Sequence, residues 1–222
     1  MALSGPRIAP KRGKATELVI LVHGYGADGE DLIELAEPLS QALPGAAFVA
    51  PNAPTPCPGA RFMWFPITDL NPRSMHAGVT AAAPVLKTAI EAELSRLSLG
   101  VDRLALIGFS QGTMLALNLI LTGLKPAAVV GFSGVLTGMD AAPADLPPIF
   151  LAHGSADEVI PVDALFMTAG ALGARGARVQ WHLTEGLGHG IDGHGLNLAG
   201  QFLASAFAGT LAAEGPASSV LR

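Results

Sequence analysis

Ser110 stands between two glycines in Gly108-Phe109-Ser110-Gln111-Gly112, and two residues far along the chain could make its hydroxyl a nucleophile. They are Asp157, in His153-Gly154-Ser155-Ala156-Asp157, and His189, in Gly186-Leu187-Gly188-His189-Gly190. A serine hydroxyl attacks a carbonyl only when a base takes its proton and a third group orients that base. In a chain with 27 glycines the Gly-x-Ser-x-Gly stretch alone is weak, so its surroundings decide. Residues 104–107 are apolar and of strand length, as in a strand buried on both faces; residues 114–121 are apolar almost all round, as in a core helix. Ser110 is therefore read at a strand-to-helix corner. Such a corner strains its central residue and crowds the positions two residues either side, and glycine at 108 and 112 relieves the crowding. Gly131-Phe132-Ser133-Gly134 looks similar, but valine follows at 135 and no helical pattern comes after it.

The other two roles are assigned by order along the sheet, the acid after a later strand and the histidine later still. Asp157 follows the apolar run ending at Ala152, whereas Asp163 reads as a helix start and Asp140 and Asp145 sit in a connection. Of six histidines only His182, His189 and His194 lie beyond Asp157. His182 falls inside the strand VQWHL, His189 in the glycine-rich turn after it, and His194 is the second candidate. His23 precedes Ser110 and reads as structural. The oxyanion formed by attack on a carbonyl needs preplaced donors. Gln111 N–H supplies one at the start of its helix, and Tyr25 N–H, in the loop His23-Gly24-Tyr25-Gly26, supplies the second.

Two rival chemistries share these stretches. Gly24-Tyr25-Gly26-Ala27-Asp28-Gly29 matches a dinucleotide fingerprint, but the next strand ends in Ala50-Pro51-Asn52, with no acidic residue for a ribose, so no cofactor is expected. His189, Asp192 and His194 could be metal ligands, yet no second cluster with ligand spacing accompanies them, and no metal is expected. Cys57 lies in a proline-rich loop without a neighbouring His or Lys and reads as an inert thiol.

The elements that must position these residues alternate. Residues 17–23 read as a strand, 28–43 as a helix, 47–50 as a strand, 51–73 as a long loop with six prolines, and 79–97 as a helix that meets Pro84 early. After the central strand and helix come strands over 127–132, 148–152 and 177–183 and helices over 162–172 and 196–211. This is the pattern of an α/β fold with a mostly parallel central sheet and helices on both faces. The connection from Ser133 to Pro147 is too short for a large cap domain. Residues 1–16 read as an N-terminal tail, 17–212 as one domain and 213–222 as a C-terminal tail.

A net charge of -5 and a pI near 5.6 disfavour nucleic acid as a partner. Charged residues make up only 14 % of the chain and the mean hydropathy is +0.45, so the surface should be apolar enough to suit a partner subunit, as in a homodimer, or a lipid-like substrate. No apolar run reaches the roughly 18 residues of a membrane span and the N-terminus does not resemble a signal peptide; a soluble, cytoplasmic protein is expected.

LVHGYGADG, PNAP followed by WFPI, GFSQGTMLAL, LAHGSADEVIPV and EGLGHGID occur in that order. With these motifs, from Glu17 to about Leu211, the chain resembles the small carboxylesterase, acyl-protein thioesterase and lysophospholipase family of the α/β-hydrolase superfamily. The resemblance implies an acyl-enzyme on Ser110, with His189 as base and Asp157 orienting it, and Tyr25 and Gln111 as oxyanion donors. It also implies an acyl groove lined from the loop of Met63, Trp64 and Phe65. The substrate would be a small-molecule carboxylic ester or thioester, or a lysophospholipid. Pro66 stands where the family often has aspartate, and Tyr25 where a smaller apolar residue is common; both bear on specificity. The competing expectation is a hydrolase-fold binding protein without activity.

Overall fold

The computed structural model describes residues 3–69, 71–138, 145–211 and 219–221, the last three by their backbone. In chain order the elements are β1 (Arg7–Ile8), β2 (Glu17–Val22), α1 (Gly29–Ile33), α2 (Ala36–Ala42), β3 (Ala46–Val49), β4 (Thr55–Pro56), β5 (Phe62–Met63) and α3 (Pro72–Leu97). Then follow β6 (Leu104–Phe109), α4 (Gln111–Leu121), β7 (Ala128–Phe132), β8 (Ile149–Gly154), α5 (Asp163–Gly173), β9 (Val179–Thr184), α6 (Gly193–Ala208) and β10 (Ser219–Leu221). Eight strands form one sheet in the order β1-β3-β2-β6-β7-β8-β9-β10, parallel except for β1, while β4 and β5 pair as a separate hairpin.

Alternation within the strands builds two cores. Leu18, Ile20 and Val22 of β2 and Leu104 and Leu106 of β6 face one side, where α3, α4 and α5 bring Val79, Leu86, Ile90, Leu115 and Leu165. Val19, Leu21, Ala105 and Ile107 face the other, against Leu32, Leu39, Leu196 and Phe202 of α1, α2 and α6. The centre of the sheet is thus dry on both sides, which is why β2 and β6 read as unbroken apolar runs. All of α4 is buried, so the helix that begins at Ser110 cannot shift independently of the core.

Three expectations change. The helix over 28–43 is broken into α1 and α2, because Pro38 has no N–H for the carbonyl of Glu34 and its ring crowds that carbonyl. The helix expected from residue 79 begins at Pro72 and carries Pro84 in its interior. Both supposed tails contribute strands: Arg7 and Ile8 pair antiparallel with Val49 and Phe48, and Ser219–Leu221 pairs parallel with residues 182–184 of β9. Arg7 also ties β1 to α3 through Glu93, which Arg96 holds from the other side. Burial pushes the Glu93 carboxyl up, but the two guanidinium groups outweigh it and hold it below its ordinary range.

Candidate active site

Ser110 occupies the β6–α4 corner with φ 52° and ψ -114°, a left-handed φ that a non-glycine residue adopts only where its surroundings enforce it. The enforcing bonds come from β7. Phe132 O accepts Ser110 N–H at 2.9 Å and the Thr113 hydroxyl at 2.9 Å, so one carbonyl pins both sides of the turn. Gly112 permits the corner to press against β2, since a Cβ there would stand 1.9 Å from Val22 O. On the other flank the loop after β2 passes at a tight but looser distance: a Cβ on Gly24 would meet Ser110 Cβ at 3.2 Å. The expected oxyanion loop is therefore in contact with the expected nucleophile.

Asp157 lies in the turn after β8 with its side chain fully buried. Its Oδ1 accepts the amides of Val159 and Ile160 at 2.9 Å each, and its Oδ2 accepts His189 Nδ1 at 2.8 Å. Burial raises the carboxyl pKa, yet these donors outweigh it and hold the acid below its ordinary 3.8. An ionised carboxylate on Nδ1 fixes the proton of a neutral His189 on that nitrogen and leaves Nε2 as the free acceptor. The His189 ring packs on Phe109, the residue before Ser110, with centroids 4.9 Å apart. Of the expected trio, the structure joins His189 to Asp157 by a hydrogen bond and to Ser110 through its neighbour in sequence.

The alternatives are spent elsewhere. His194 is exposed on the first turn of α6, and Asp192 caps that helix, accepting the amides of His194 and Gly195 and the Thr184 hydroxyl. His182 is buried in β9 against Thr184. Asp145 pairs with Lys125 at the surface, Asp163 opens α5, and Asp140 lies outside the described residues. The dinucleotide fingerprint is filled from within: Asp28 accepts the Asp31 amide in a capping box, and Asn52 Oδ1 takes Gly29 N–H at 2.8 Å. Those amides are not left for a pyrophosphate.

Several supporting roles were not foreseen. Gln111, expected to act through its backbone N–H, also clamps the aromatic loop, with Oε1 accepting Trp64 N–H at 2.8 Å and Nε2 donating to Phe65 O at 2.9 Å. The Trp64 indole donates to His23 O at 3.0 Å. Met63, Trp64 and Phe65 are buried, Trp64 to 3 % exposure, and Phe65 covers Gly78 of α3. The expected acyl wall is mostly buried: its backbone is bonded to Gln111, the Trp64 indole to the loop after β2, and the Phe65 ring packs on α3. The Tyr25 side chain is exposed and its hydroxyl bonds Cys57, which raises the phenol pKa. Loop 23–27 is itself laced to the β4–β5 hairpin, through Gly26 N–H to Phe62 O, Arg61 N–H to Gly26 O and Phe62 N–H to Ala27 O. Ser133, set aside as a lookalike, has φ 46° and donates its hydroxyl to Gly190 O beside His189.

His23 completes the scaffold. It is fully buried, its Nδ1 lies 2.7 Å from Gly24 O, and its Nε2 accepts Ala53 N–H at 3.0 Å, an arrangement only the neutral ring can make. Burial lowers its pKa from the ordinary 6.5. Its contribution to stability is therefore complete above about pH 6.5 and is lost as the pH falls through the folded value, at no more than about 1.4 kcal/mol per pH unit. Urea unfolding midpoints measured from pH 7.5 to 5 should fall more steeply for the wild type than for His23→Gln. Parallel curves would show that the ring takes up its proton as readily in the fold as out of it.

Residues 3–207 match the model of a family described as phospholipase/carboxylesterase. The chain is 28 % identical over 189 residues to esterase YpfH of Escherichia coli, covering 83 % of this chain and 81 % of that protein. It is 30 % identical over 200 residues to acyl-protein thioesterase 1 of Yarrowia lipolytica, covering 81 % and 87 %. The crystal structure of esterase PE8 superimposes with a TM-score of 0.86 at 35 % identity, over 93 % of this chain and all of that one. No helix among the described residues is long and apolar enough to cross a membrane.

Proposed function

The chain belongs to the phospholipase/carboxylesterase family and is a carboxylesterase- or thioesterase-type hydrolase, and we propose that it cleaves its substrate through an acyl-enzyme on Ser110. The observation that carries this reading is the 2.8 Å bond from His189 Nδ1 to the buried, ionised Asp157, which leaves Nε2 free to act as a base in a ring that packs on Phe109, next to the strained Ser110. Nε2 takes the Ser110 proton as Oγ attacks the carbonyl carbon, and Asp157 stabilises the imidazolium that forms. The oxyanion is met by the amides of Gln111, at the start of α4, and Tyr25, in the loop against Ser110. His189 then gives its proton to the departing alcohol or thiol, and a water activated by the same nitrogen releases the acid. A fluorophosphonate probe should label the wild type at Ser110 and leave Ser110→Ala unlabelled; an intact protein that takes no label would favour a binding protein on this fold.

The buried aromatic loop bears on substrate range. Trp64 holds His23 O and packs in the core, so Trp64→Ala should lower turnover of p-nitrophenyl acetate and hexanoate by a similar factor, of roughly 10-fold or more, through loss of site geometry. A loss confined to hexanoate would restore Trp64 to the acyl wall, where each methylene it covered would contribute at most about 0.8 kcal/mol.

A further inference from the structure

Asp157 is held by a second histidine that this reaction scheme leaves unused. His153, the penultimate residue of strand β8 and four residues before Asp157, has a side chain 1 % exposed. Its Nε2 lies 2.8 Å from Ile160 O and 3.2 Å from Asp157 Oδ2. Both neighbours are acceptors, so Nε2 carries the hydrogen; it donates to Ile160 O and keeps its positive edge 3.2 Å from the carboxylate. Oδ1 accepts the amides of Val159 and Ile160, and Oδ2 accepts His189 Nδ1 with the His153 imidazole N–H 3.2 Å away on its other side. Ile160 is engaged twice, giving its N–H to Asp157 and taking its carbonyl bond from His153, so the turn 157–160 is closed into a ring by the histidine.

We propose that His153 is a positioning residue for the reaction: by bonding Ile160 O and packing its polar edge against Asp157 Oδ2 it fixes the plane of the carboxylate, and through it the ring of His189. The inference rests on the assignment of Ser110, Asp157 and His189 above. The terminal torsion of an aspartate is soft, and amides on Oδ1 alone leave the plane free to tilt about that oxygen. A tilt carries His189 with it, and errors of about 1 Å in the placement of a catalytic base cost on the order of 100-fold in rate. His153 stands behind the acid and so touches neither substrate nor Ser110.

A histidine that only filled space would be replaceable by an apolar residue of similar size, and the test uses that difference. His153→Leu should lower kcat on p-nitrophenyl butyrate roughly 10- to 100-fold with KM within about threefold of the wild type. His153→Gln should recover kcat to within about threefold, because its amide nitrogen comes near the position of Nε2 with two hydrogens for two acceptors. His153→Asn, which is too short to reach, should not. Wild-type kcat in His153→Leu, or folded Gln and Asn variants that are equally impaired, would overturn the proposal. Should the leucine variant fail to fold, the ranking of Gln over Asn decides alone, and equality counts against it. Ser110→Ala, measured alongside, separates the two ideas. If it retains hydrolysis, the assignment beneath this inference fails; if it is inactive while His153→Leu is fully active, only the role of His153 falls.

Discussion

Ser110→Ala and His189→Ala should each lower kcat by at least about 10⁴, and the double variant should be scarcely slower than either. Without the hydroxyl there is no acyl acceptor for His189 to activate; without the imidazole the hydroxyl keeps its proton. The two losses therefore describe one event. Burst kinetics with p-nitrophenyl butyrate would measure acylation directly, and His194→Ala should retain most of the wild-type burst, because Asp192 holds the first turn of α6 through backbone amides that this substitution leaves in place. Losses that multiply in the double variant would show that the wrong residues have been paired. A His194→Ala loss equal to that of His189→Ala would move the base to the other candidate.

The second large effect falls on the fold and the site together. In Gly112→Ala the new methyl would stand 1.9 Å from Val22 O and 2.6 Å from Val22 C, and both belong to the backbone of the central strand β2. Neither can turn aside as a side chain can, so the corner must lift from β2 or β2 must bend. Overpacking of this kind costs about 3 kcal/mol or more where the neighbours are rigid, a fall of roughly 6 to 12 °C in Tm for a chain of this size. Gly170→Ala is the matched control. It lies inside α5 with open space around its Cβ position, and alanine there should stabilise by roughly 0.5 to 1 kcal/mol through the unfolded chain. Equal melting temperatures for the two variants would mean that the close approach at Gly112 does not restrain the turn.

Sequence alone singled out Ser110, Asp157 and His189 as candidates because each sits in a short local pattern whose meaning comes from chain order: a glycine-flanked corner, then a turn after a strand, then a later turn. β2 and β6 were legible for a different reason, since an unbroken apolar run of strand length marks a strand buried on both faces. What escaped detection depends on contacts between residues far apart in sequence. Nothing around Gln111 announces that its amide will clamp residues 64 and 65, and nothing around Ser133 announces Gly190. The run Met63-Trp64-Phe65 was ambiguous because an aromatic cluster among prolines carries no period, and burial as core or exposure as a wall look alike in it. The break between α1 and α2 was signalled by Pro38, but apolar spacing that continues across 28–43 masked it.

The two ends of the sheet also escaped, and they matter for how copies of this chain behave toward one another. β3, four residues long, and β9, six, would each present a row of unpaired backbone N–H and C=O groups, a ready template for another strand. Instead β3 is covered by the two residues of β1, one of them the charged Arg7, and β9 by the three residues of β10. An incoming strand meets too few groups at either margin to register against, so the open sheet ends in stubs that discourage edge-to-edge aggregation.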